Sequence, residues 1–233
     1  MNINSIKKKN YLEWIKILFF ERLGVNFEIN FEKNNIVFKL KYSEKKVVFK
    51  NLKEDFYIKD KSLTFFNWYP EKENFNPIIE NFIPALGMES KIYPMFNETK
   101  GNMEVSYDIL GFIFNQLNRI EEFDEKNLDK HSRFLAKNSM SSKNNYLNRP
   151  IVDEWMMVLS QVFKRIWPNL NFKKNYFYIS VSHDVDRVSR YETQKNFFLY
   201  LRVLLGDLYR FNFRNILLSP FSYFNKKKSF SKF

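Results

Sequence analysis

Cysteine is the most informative absence in this sequence. With no cysteine among 233 residues, the chain has neither disulfides nor thiolate metal ligands, which fits a cytoplasmic protein. It has only five glycines, so a glycine-rich phosphate-binding loop is not expected. No run approaches the roughly 18–20 apolar residues of a transmembrane helix. The basic N-terminus is followed by charged residues rather than by the apolar core of a signal peptide.

Aromatic and basic residues are what the sequence has in excess. The 27 Phe and 13 Tyr are too many for a disordered chain and enough to build one or two cores. The net charge of +12 is concentrated at the ends: residues 1–50 carry 11 basic against 5 acidic side chains, and residues 187–233 carry 10 against 2. Basic ends suit phosphates or an anionic membrane surface. Since no nucleic-acid-binding motif accompanies the charge, we predict no nucleic-acid partner.

The first 170 residues show the pattern of a mixed α+β domain. Apolar residues at helical spacing predict a helix over Tyr11–Leu23 that ends at Gly24. Alternating runs then predict an antiparallel sheet, with strands at Val25–Phe31, Asn35–Leu40 and Lys46–Phe49. An aromatic cluster follows that is either core or a platform on which a sugar ring stacks: Phe65, Phe66, Trp68 and Tyr69.

Further helices are predicted in the second half of the chain. One apolar helical face runs from Ile109 to Ile120, and another helix starts at Pro150, with Trp155 and five aliphatic or aromatic residues facing inward. The tail has two apolar segments, Phe197–Leu208 and Phe213–Leu218, among arginines. Basic amphipathic helices can lie on a membrane surface. A helix that lacks the domain on which it packs shows the same pattern, and we favour that interpretation.

The run FYISVSHDVD at 177–186 carries the chemistry. Phe177–Val181 predicts a buried strand, and His183, Asp184 and Asp186 follow it. Carboxylates at the C-terminal edge of a buried strand commonly present a metal or a general base in α/β enzymes. Two acids alone do not complete a zinc-like site, and the only other histidine is His131. The pair is otherwise a helix-capping turn, or the acidic motif of a nucleotide-sugar glycosyltransferase.

Four landmarks in order resemble bacterial polysaccharide deacetylase-family proteins that carry an N-terminal accessory domain of unknown function. The resemblance covers residues ~105–186 with spacing intact. The landmarks are Asp108-Ile-Leu-Gly-Phe with Leu117-Asn-Arg-Ile-Glu-Glu122, Asp129-Lys-His-Ser-Arg-Phe134, Arg149-Pro-Ile-Val-Asp-Glu-Trp155 and Ser182-His-Asp-Val-Asp186.

This resemblance implies a metal-dependent N- or O-deacetylase on a distorted (β/α) barrel. Asp184 matches the family's general base and Asp186 its metal ligand, with a zinc-like divalent ion as cofactor. Family members add two histidines from a His-x-x-x-His-like motif and a later histidine as general acid, and these have no match here. We therefore expect weak or absent metal binding and no deacetylation by this polypeptide, whether it is a truncated frame, one half of a split protein or a remnant.

The fold expected is α/β, with an accessory domain over 1–170 and the start of a truncated deacetylase domain over 175–233. That second part is expected to hold the first strand and helices of an incomplete barrel and to expose aromatic surface. Its expected partners are a carbohydrate substrate, a chain that supplies the rest of the barrel and, through the basic tail, a membrane surface. From a different functional class, the chain is a non-catalytic glycan-binding or scaffold module that uses Phe65–Tyr69.

Overall fold

The structure, a computed structural model, describes residues 3–50, 64–86, 94–123, 125–174, 176–184 and 197–224. The chain divides into two compact units, Met1–Asn175 and Tyr176–Phe233. Among the described elements, the first unit contains seven strands and four α-helices, and the second contains two α-helices. The mixed α+β character that the sequence predicted for the N-terminal region is thus confirmed.

The first unit opens with helix α1, Ile3–Leu23. The predicted range, Tyr11–Leu23, is helical. The helix starts earlier than predicted because the residues before Tyr11 are mostly polar and show no apolar helical pattern. Gly24 ends the helix with φ +71°, and its N–H donates to the carbonyl oxygen of Phe20 at 2.8 Å. A Cβ at Gly24 would lie 2.8 Å from the Cβ of Lys173. Both the left-handed turn and this close approach therefore require glycine.

Seven strands follow in chain order: β1 Glu28–Glu32, β2 Asn35–Lys39, β3 Lys46–Phe49, β4 Phe65–Trp68, β5 Ile83–Leu86, β6 Phe96–Thr99 and β7 Asn102–Val105. Five of them form one sheet in the order β1-β2-β3-β7-β6, and β4 pairs with β5. The predicted antiparallel arrangement of the first three strands is confirmed. The pairing of β3 with β7 is parallel, with Val47 opposite Met103. No barrel closes among the strands of the described residues.

Three helices complete the first unit: α2 Ile109–Leu117, α3 Met140–Lys143 and α4 Ile151–Ile166. One face of the five-stranded sheet is apolar and packs against the helices. Phe38 of β2 lies at its centre, with its ring centroid 5.0 Å from that of Phe19 on α1 and 5.6 Å from that of Phe163 on α4. The inward residues predicted for the helix after Pro150 are all buried, so that prediction is confirmed.

The second unit contains helix α5, Phe197–Tyr209, and helix α6, Phe213–Phe224. Both lie where the sequence predicted apolar helical segments. They pack against each other, and the Tyr200 hydroxyl lies 3.2 Å from the Oγ of Ser219. Within the part of the chain that the structure describes, no helix combines the length and the apolar character needed to cross a membrane.

Candidate functional site

The predicted catalytic segment is not a strand. Over residues 176–184 the backbone is neither helical nor paired, and Phe177 is 91% exposed. The prediction of a buried strand at Phe177–Val181 is therefore wrong for this structure. An extended segment needs a neighbouring strand to satisfy its backbone groups and cover its side chains, and no described strand pairs with it. Alternating apolar residues favour a strand, but they do not show whether a neighbouring strand is present.

Of the two predicted site aspartates, the structure describes only Asp184. Asp184 is exposed to solvent, as is His183 beside it, while Asp186 lies outside the described residues. His131, the other histidine, is exposed in a turn of the first unit. No group of three His, Cys, Asp or Glu side chains in the described ranges could hold a metal ion. The donors that the structure describes therefore do not fit the divalent ion of the deacetylase family, since a single exposed carboxylate leaves coordination to water.

The first of the four landmarks caps a helix. Asp108 is buried at the N-cap of α2, where its carboxylate accepts a hydrogen bond from the N–H of Gly111 at 2.8 Å. The neighbouring Tyr107 is buried, and its hydroxyl donates to the carbonyl oxygen of Leu86 at 2.5 Å. Burial, and then the charge of Asp108, raises the pKa of Tyr107 well above its ordinary value. The tyrosine is thus a neutral hydrogen-bond donor that ties α2 to β5.

The second landmark stabilises a loop. The carboxylate of Asp129 accepts hydrogen bonds from the N–H groups of His131 and Arg133 at 2.7 and 2.9 Å, and from the Nε of Arg133 at 2.9 Å. This is the turn that aspartate forms with the backbone two residues on. The backbone and side-chain bonds from Arg133, followed by the bond from His131, keep the pKa of Asp129 below its ordinary value. Asp129 therefore remains ionised as a turn-former.

The third landmark is a buried ion pair. Arg149 donates from Nε to Glu154 Oε1 at 3.0 Å, and the Glu154 side chain is 0% exposed. Other guanidinium nitrogens reach Glu80 Oε2 at 3.1 Å and the carbonyl oxygen of Phe82 at 2.6 Å. The residue after Glu154, Trp155, donates from Nε1 to the carbonyl oxygen of Pro84 at 3.1 Å. Arg149 and Trp155 together attach α4 to the segment that leads into β5.

Glu73 forms a further anchor, which sequence reasoning missed. Its Oε1 accepts from Trp68 Nε1 and from the N–H of Met95, both at 2.9 Å, and its Oε2 accepts from the N–H of Phe96 at 2.8 Å. The carboxylate thus joins β4 to the start of β6. In the sequence, this glutamate stands out only because it ends a short helix that begins at Pro70. That signal does not indicate which distant groups its carboxylate contacts.

The aromatic cluster at Phe65–Tyr69 is mainly core. Trp68 is 1% exposed and stacks on Trp155, with ring centroids 5.3 Å apart. The idea of a sugar-stacking platform is therefore wrong for Trp68, because a ring without exposed surface cannot stack on a ligand. Tyr69 is exposed, and the Nζ of Lys72 lies 4.5 Å from its ring centroid. Trp68 is therefore a core residue.

A second aromatic group was missed because its members are far apart in sequence. Tyr11 and Trp14 of α1 meet Phe114 of α2, with ring centroids 5.3 and 5.0 Å from that of Phe114. All three rings are partly exposed. The spacing of Tyr11 and Trp14 on one helix was visible in the sequence, but the arrival of Phe114 depends on how α1 and α2 pack.

Glu121 is the acid whose ionisation the fold most opposes in this region. Burial raises its pKa above the ordinary value of 4.5, although it accepts a hydrogen bond from the N–H of Met140 at 2.7 Å. Tyr146 lies close by and is also buried. Desolvation first, and the charge of Glu121 second, raise the pKa of Tyr146. Because burial opposes the charge of Glu121, the stability of this part of the fold should depend on pH.

We expect Glu121→Gln to become progressively more stable than the parent chain as pH rises. Between 4.5 and the raised pKa of Glu121, the unfolded chain releases a proton that the folded chain keeps, so parent stability falls as pH rises through that window. Glutamine keeps an acceptor for Met140 without the charge. Urea unfolding between about pH 4 and about pH 7 measures the difference. Glu13→Gln, which loses the exposed ion pair with Lys16, should not show the gain, and equal behaviour of the two variants would contradict the assignment.

The comparisons with known proteins give one match. A model of the family described as "Family of unknown function (DUF7033)" matches residues 1–168. No curated protein and no solved structure matches the chain. The matched region contains the first three landmarks and ends before the Ser182–Asp186 segment. The landmarks inside it are therefore the ones that the structure assigns to capping, loop formation and ion pairing.

Proposed function

We propose that this chain, which belongs to the DUF7033 family of unknown function, is the N-terminal part of a metal-dependent carbohydrate deacetylase of cell-surface glycan metabolism. In this proposal the first unit is a non-catalytic accessory domain. The second unit begins a catalytic (β/α) barrel domain, to which a polysaccharide is the substrate. The polypeptide of 233 residues is inactive by itself.

The observation that carries the proposal is that the acids of the first three landmarks are engaged in the fold, whereas Asp184 of the fourth is not. In the first unit, Asp108, Asp129 and Glu154 are engaged in contacts that hold the fold. Asp184, which follows the matched region, is exposed to solvent. A carboxylate that is available in this way can take a proton from water or meet a ligand, whereas the engaged acids cannot without a loss of stability.

The resemblance gives the two aspartates distinct roles. Asp184 corresponds to the general base of the polysaccharide deacetylase family, and Asp186 corresponds to a metal ligand. The bound ion of such enzymes polarises the acetyl carbonyl and lowers the pKa of water. Because the sequence has only His131 and His183, the two histidine ligands and the later histidine acid of the family are not among these 233 residues.

Release of acetate tests the proposal. The purified chain, given N-acetylated and O-acetylated oligosaccharides with Zn²⁺ or Co²⁺, is expected to release no acetate above a protein-free blank. The DNA that follows codon 233 is expected to encode a His-x-x-x-His segment, in frame or shifted. Joining or adding that segment should then give metal-dependent release.

Matched variants assign the activity to the aspartate. Asp184→Asn should abolish release by the completed protein, while Asp153→Asn, which loses only an exposed pair with Arg22, should leave it intact. Acetate release by the chain alone would overturn its inactivity. No release by a completed protein would overturn the deacetylase assignment.

The alternative of a glycan-binding module has a specific observation in its favour. Tyr11, Trp14 and Phe114 are partly exposed on neighbouring helices of the first unit, and partly exposed rings are the usual stacking surface for sugars. In the same samples, oligosaccharide binding that persists without any acetate release, and that Trp14→Ala abolishes, would favour this alternative. The notion of an Asp-x-Asp glycosyltransferase gains no support from the described residues, since none of them forms a metal-holding acidic group.

A further inference from the structure

The helical hairpin of the second unit, α5 and α6, has an interior of its own. Asp207 and Ser219 are buried, the Ser219 Oγ donates to the carbonyl oxygen of Ile216 at 2.8 Å, and the Tyr200 hydroxyl lies 3.2 Å from that Oγ. The N–H of Asn212 donates to the carbonyl oxygen of Asp207 at 2.9 Å, which closes the turn between the helices. The two helices thus use one face of each for mutual packing.

The outer face of the hairpin is also apolar. On α5 its exposed residues include Phe198 at 82% and Leu205 at 63%, and on α6 they include Leu217 at 75%. A helix that is apolar all round is normally covered on every side. A contiguous apolar surface of this kind marks an interaction site. The charges of the hairpin indicate which kind of molecule covers this apolar surface.

The turn of the hairpin, residues 209–214, concentrates aromatic rings and arginines. Tyr209, Phe211 and Phe213 are all exposed, with Phe211 at 78%. Arg210 and Arg214 stand between and after them, and both are exposed. Phe211 has φ +56°, a left-handed conformation that is costly for a bulky residue. The hairpin therefore holds a phenylalanine outward at its tip although asparagine or glycine would fit the backbone better.

The exposed charge of the hairpin has one sign. Between residues 197 and 224 the charged side chains are Arg202, Arg210, Arg214 and Asp207. The three arginines are exposed, whereas Asp207 is buried. An apolar and aromatic surface whose exposed charges are all cations is complementary to a surface that combines an apolar interior with anionic groups. A bilayer with anionic lipids has this composition.

The dimensions of the helices allow them to lie on a bilayer and do not allow them to cross it. Helix α5 has 13 residues and α6 has 12, with Pro220 inside α6. Crossing needs about 20 apolar residues. We propose that the hairpin binds an anionic phospholipid surface, with the rings at 209–213 and the outer face of α5 in the acyl boundary and the three arginines on lipid phosphates.

The lipid-facing surface of the hairpin thus lies outside the contacts of the proposed barrel, and a missing protein domain, the cover that the sequence pattern suggested, is not what it binds. Every exposed charge on the hairpin is cationic. A protein cover would have to supply acidic groups at three separate arginines, while an anionic bilayer supplies phosphates along its whole surface. A second copy of the chain is the least suitable cover, because it would bring the same arginines against one another.

Vesicle co-sedimentation of the full chain tests the proposal. The chain is expected to bind vesicles of phosphatidylcholine with about 30% phosphatidylglycerol, and to bind vesicles of phosphatidylcholine alone at least about tenfold more weakly. Raising the salt from about 0.1 M to about 0.5 M should weaken binding to the anionic vesicles. Sedimentation velocity without lipid reports whether the chain associates with itself through the same surface.

Two sets of variants separate the electrostatic contacts of the arginines from the apolar contacts of the aromatic rings. Changing Arg202, Arg210 and Arg214 to Gln should weaken binding roughly a hundredfold in total, at roughly fivefold per arginine. The double variant Phe198→Gln with Phe211→Asn should weaken it at least about tenfold. Asparagine tolerates the left-handed backbone at 211, so the hairpin should keep its fold, and helical circular dichroism checks this.

Matched controls lie in the first unit. Phe123→Gln removes an aromatic ring that is 71% exposed, and the triple change of Lys126, Lys130 and Lys137 to Gln removes three exposed cations. Neither control should change vesicle binding by more than about twofold. Absence of vesicle binding, or equal weakening by the controls, would overturn the proposal. So would self-association through the hairpin that the Phe198 and Phe211 changes abolish while vesicle binding is unaffected.

Discussion

Replacing Arg149 with alanine is expected to lower the free energy of unfolding of the first unit by about 3–5 kcal/mol. The change leaves Glu154, whose side chain is 0% exposed, without its cation. It also removes the donor to the carbonyl oxygen of Phe82 and the contact with Glu80. A buried carboxylate without a partner costs far more than the ion pair itself contributes, and this asymmetry sets the size of the effect.

Urea unfolding followed by tryptophan fluorescence measures this loss selectively. All four tryptophans of the chain, Trp14, Trp68, Trp155 and Trp167, lie in the first unit. Arg22→Ala, which breaks the exposed pair with Asp153, is the matched control and should cost less than about 1 kcal/mol. Replacing the pair together, by Met at 149 and Leu at 154, should recover most of the loss. An Arg149→Ala chain as stable as Arg22→Ala would contradict a buried pair.

Local sequence patterns predicted the elements whose signals are local. The helix that ends at Gly24, the three antiparallel strands and the helix after Pro150 follow from residues that are near one another in sequence. Their periodicity, turns and caps agree with the final packing. The register of β1 with β2 follows from a two-residue turn at Lys33 and Asn34. These features form wherever the local preference and the tertiary fold agree.

The parallel pairing of β3 with β7 had no such signal. More than 50 residues separate Val47 from Met103, so their pairing depends on the packing of both strands against the helices. The segment at Phe177–Val181 shows the opposite case. Its β-branched and aromatic residues favour a strand, yet it has no described partner strand and remains unpaired. A strand pattern is satisfied only when the rest of a sheet is present.

The candidate site shows the same limit. Residue types singled out Asp184 and Asp186 as candidate catalytic and metal-binding acids, but they did not show which acids the fold uses. Asp108, Asp129 and Glu154 are engaged in capping, turn formation and ion pairing, so these three acids stabilise the fold of the first unit. Asp184 stays exposed, and the role of Asp184 and Asp186 in deacetylation is still a prediction. The functional question therefore moves from the matched region to the segment after it.

Glu73→Ala is expected to destabilise the first unit by about 3–5 kcal/mol. The alanine leaves three donors without an acceptor: the indole N–H of Trp68 and the backbone N–H groups of Met95 and Phe96. Trp68 and Met95 are buried, so water does not replace the lost carboxylate without rearrangement. Each buried donor left unsatisfied costs about 1–3 kcal/mol.

The chain offers a close control for this change. Glu71 lies in the same short helix and is exposed, so Glu71→Ala should alter stability by no more than about 0.5 kcal/mol. Glu73→Gln should fall between the two. It keeps one oxygen for Trp68 and Met95 but turns its amide group toward the N–H of Phe96, where donor faces donor. Tryptophan fluorescence during urea unfolding reports all three variants. If Glu73→Ala and Glu71→Ala cost the same, then the carboxylate at 73 does not join β4 to β6, and the order alanine, glutamine, glutamate in increasing stability is the result that supports it.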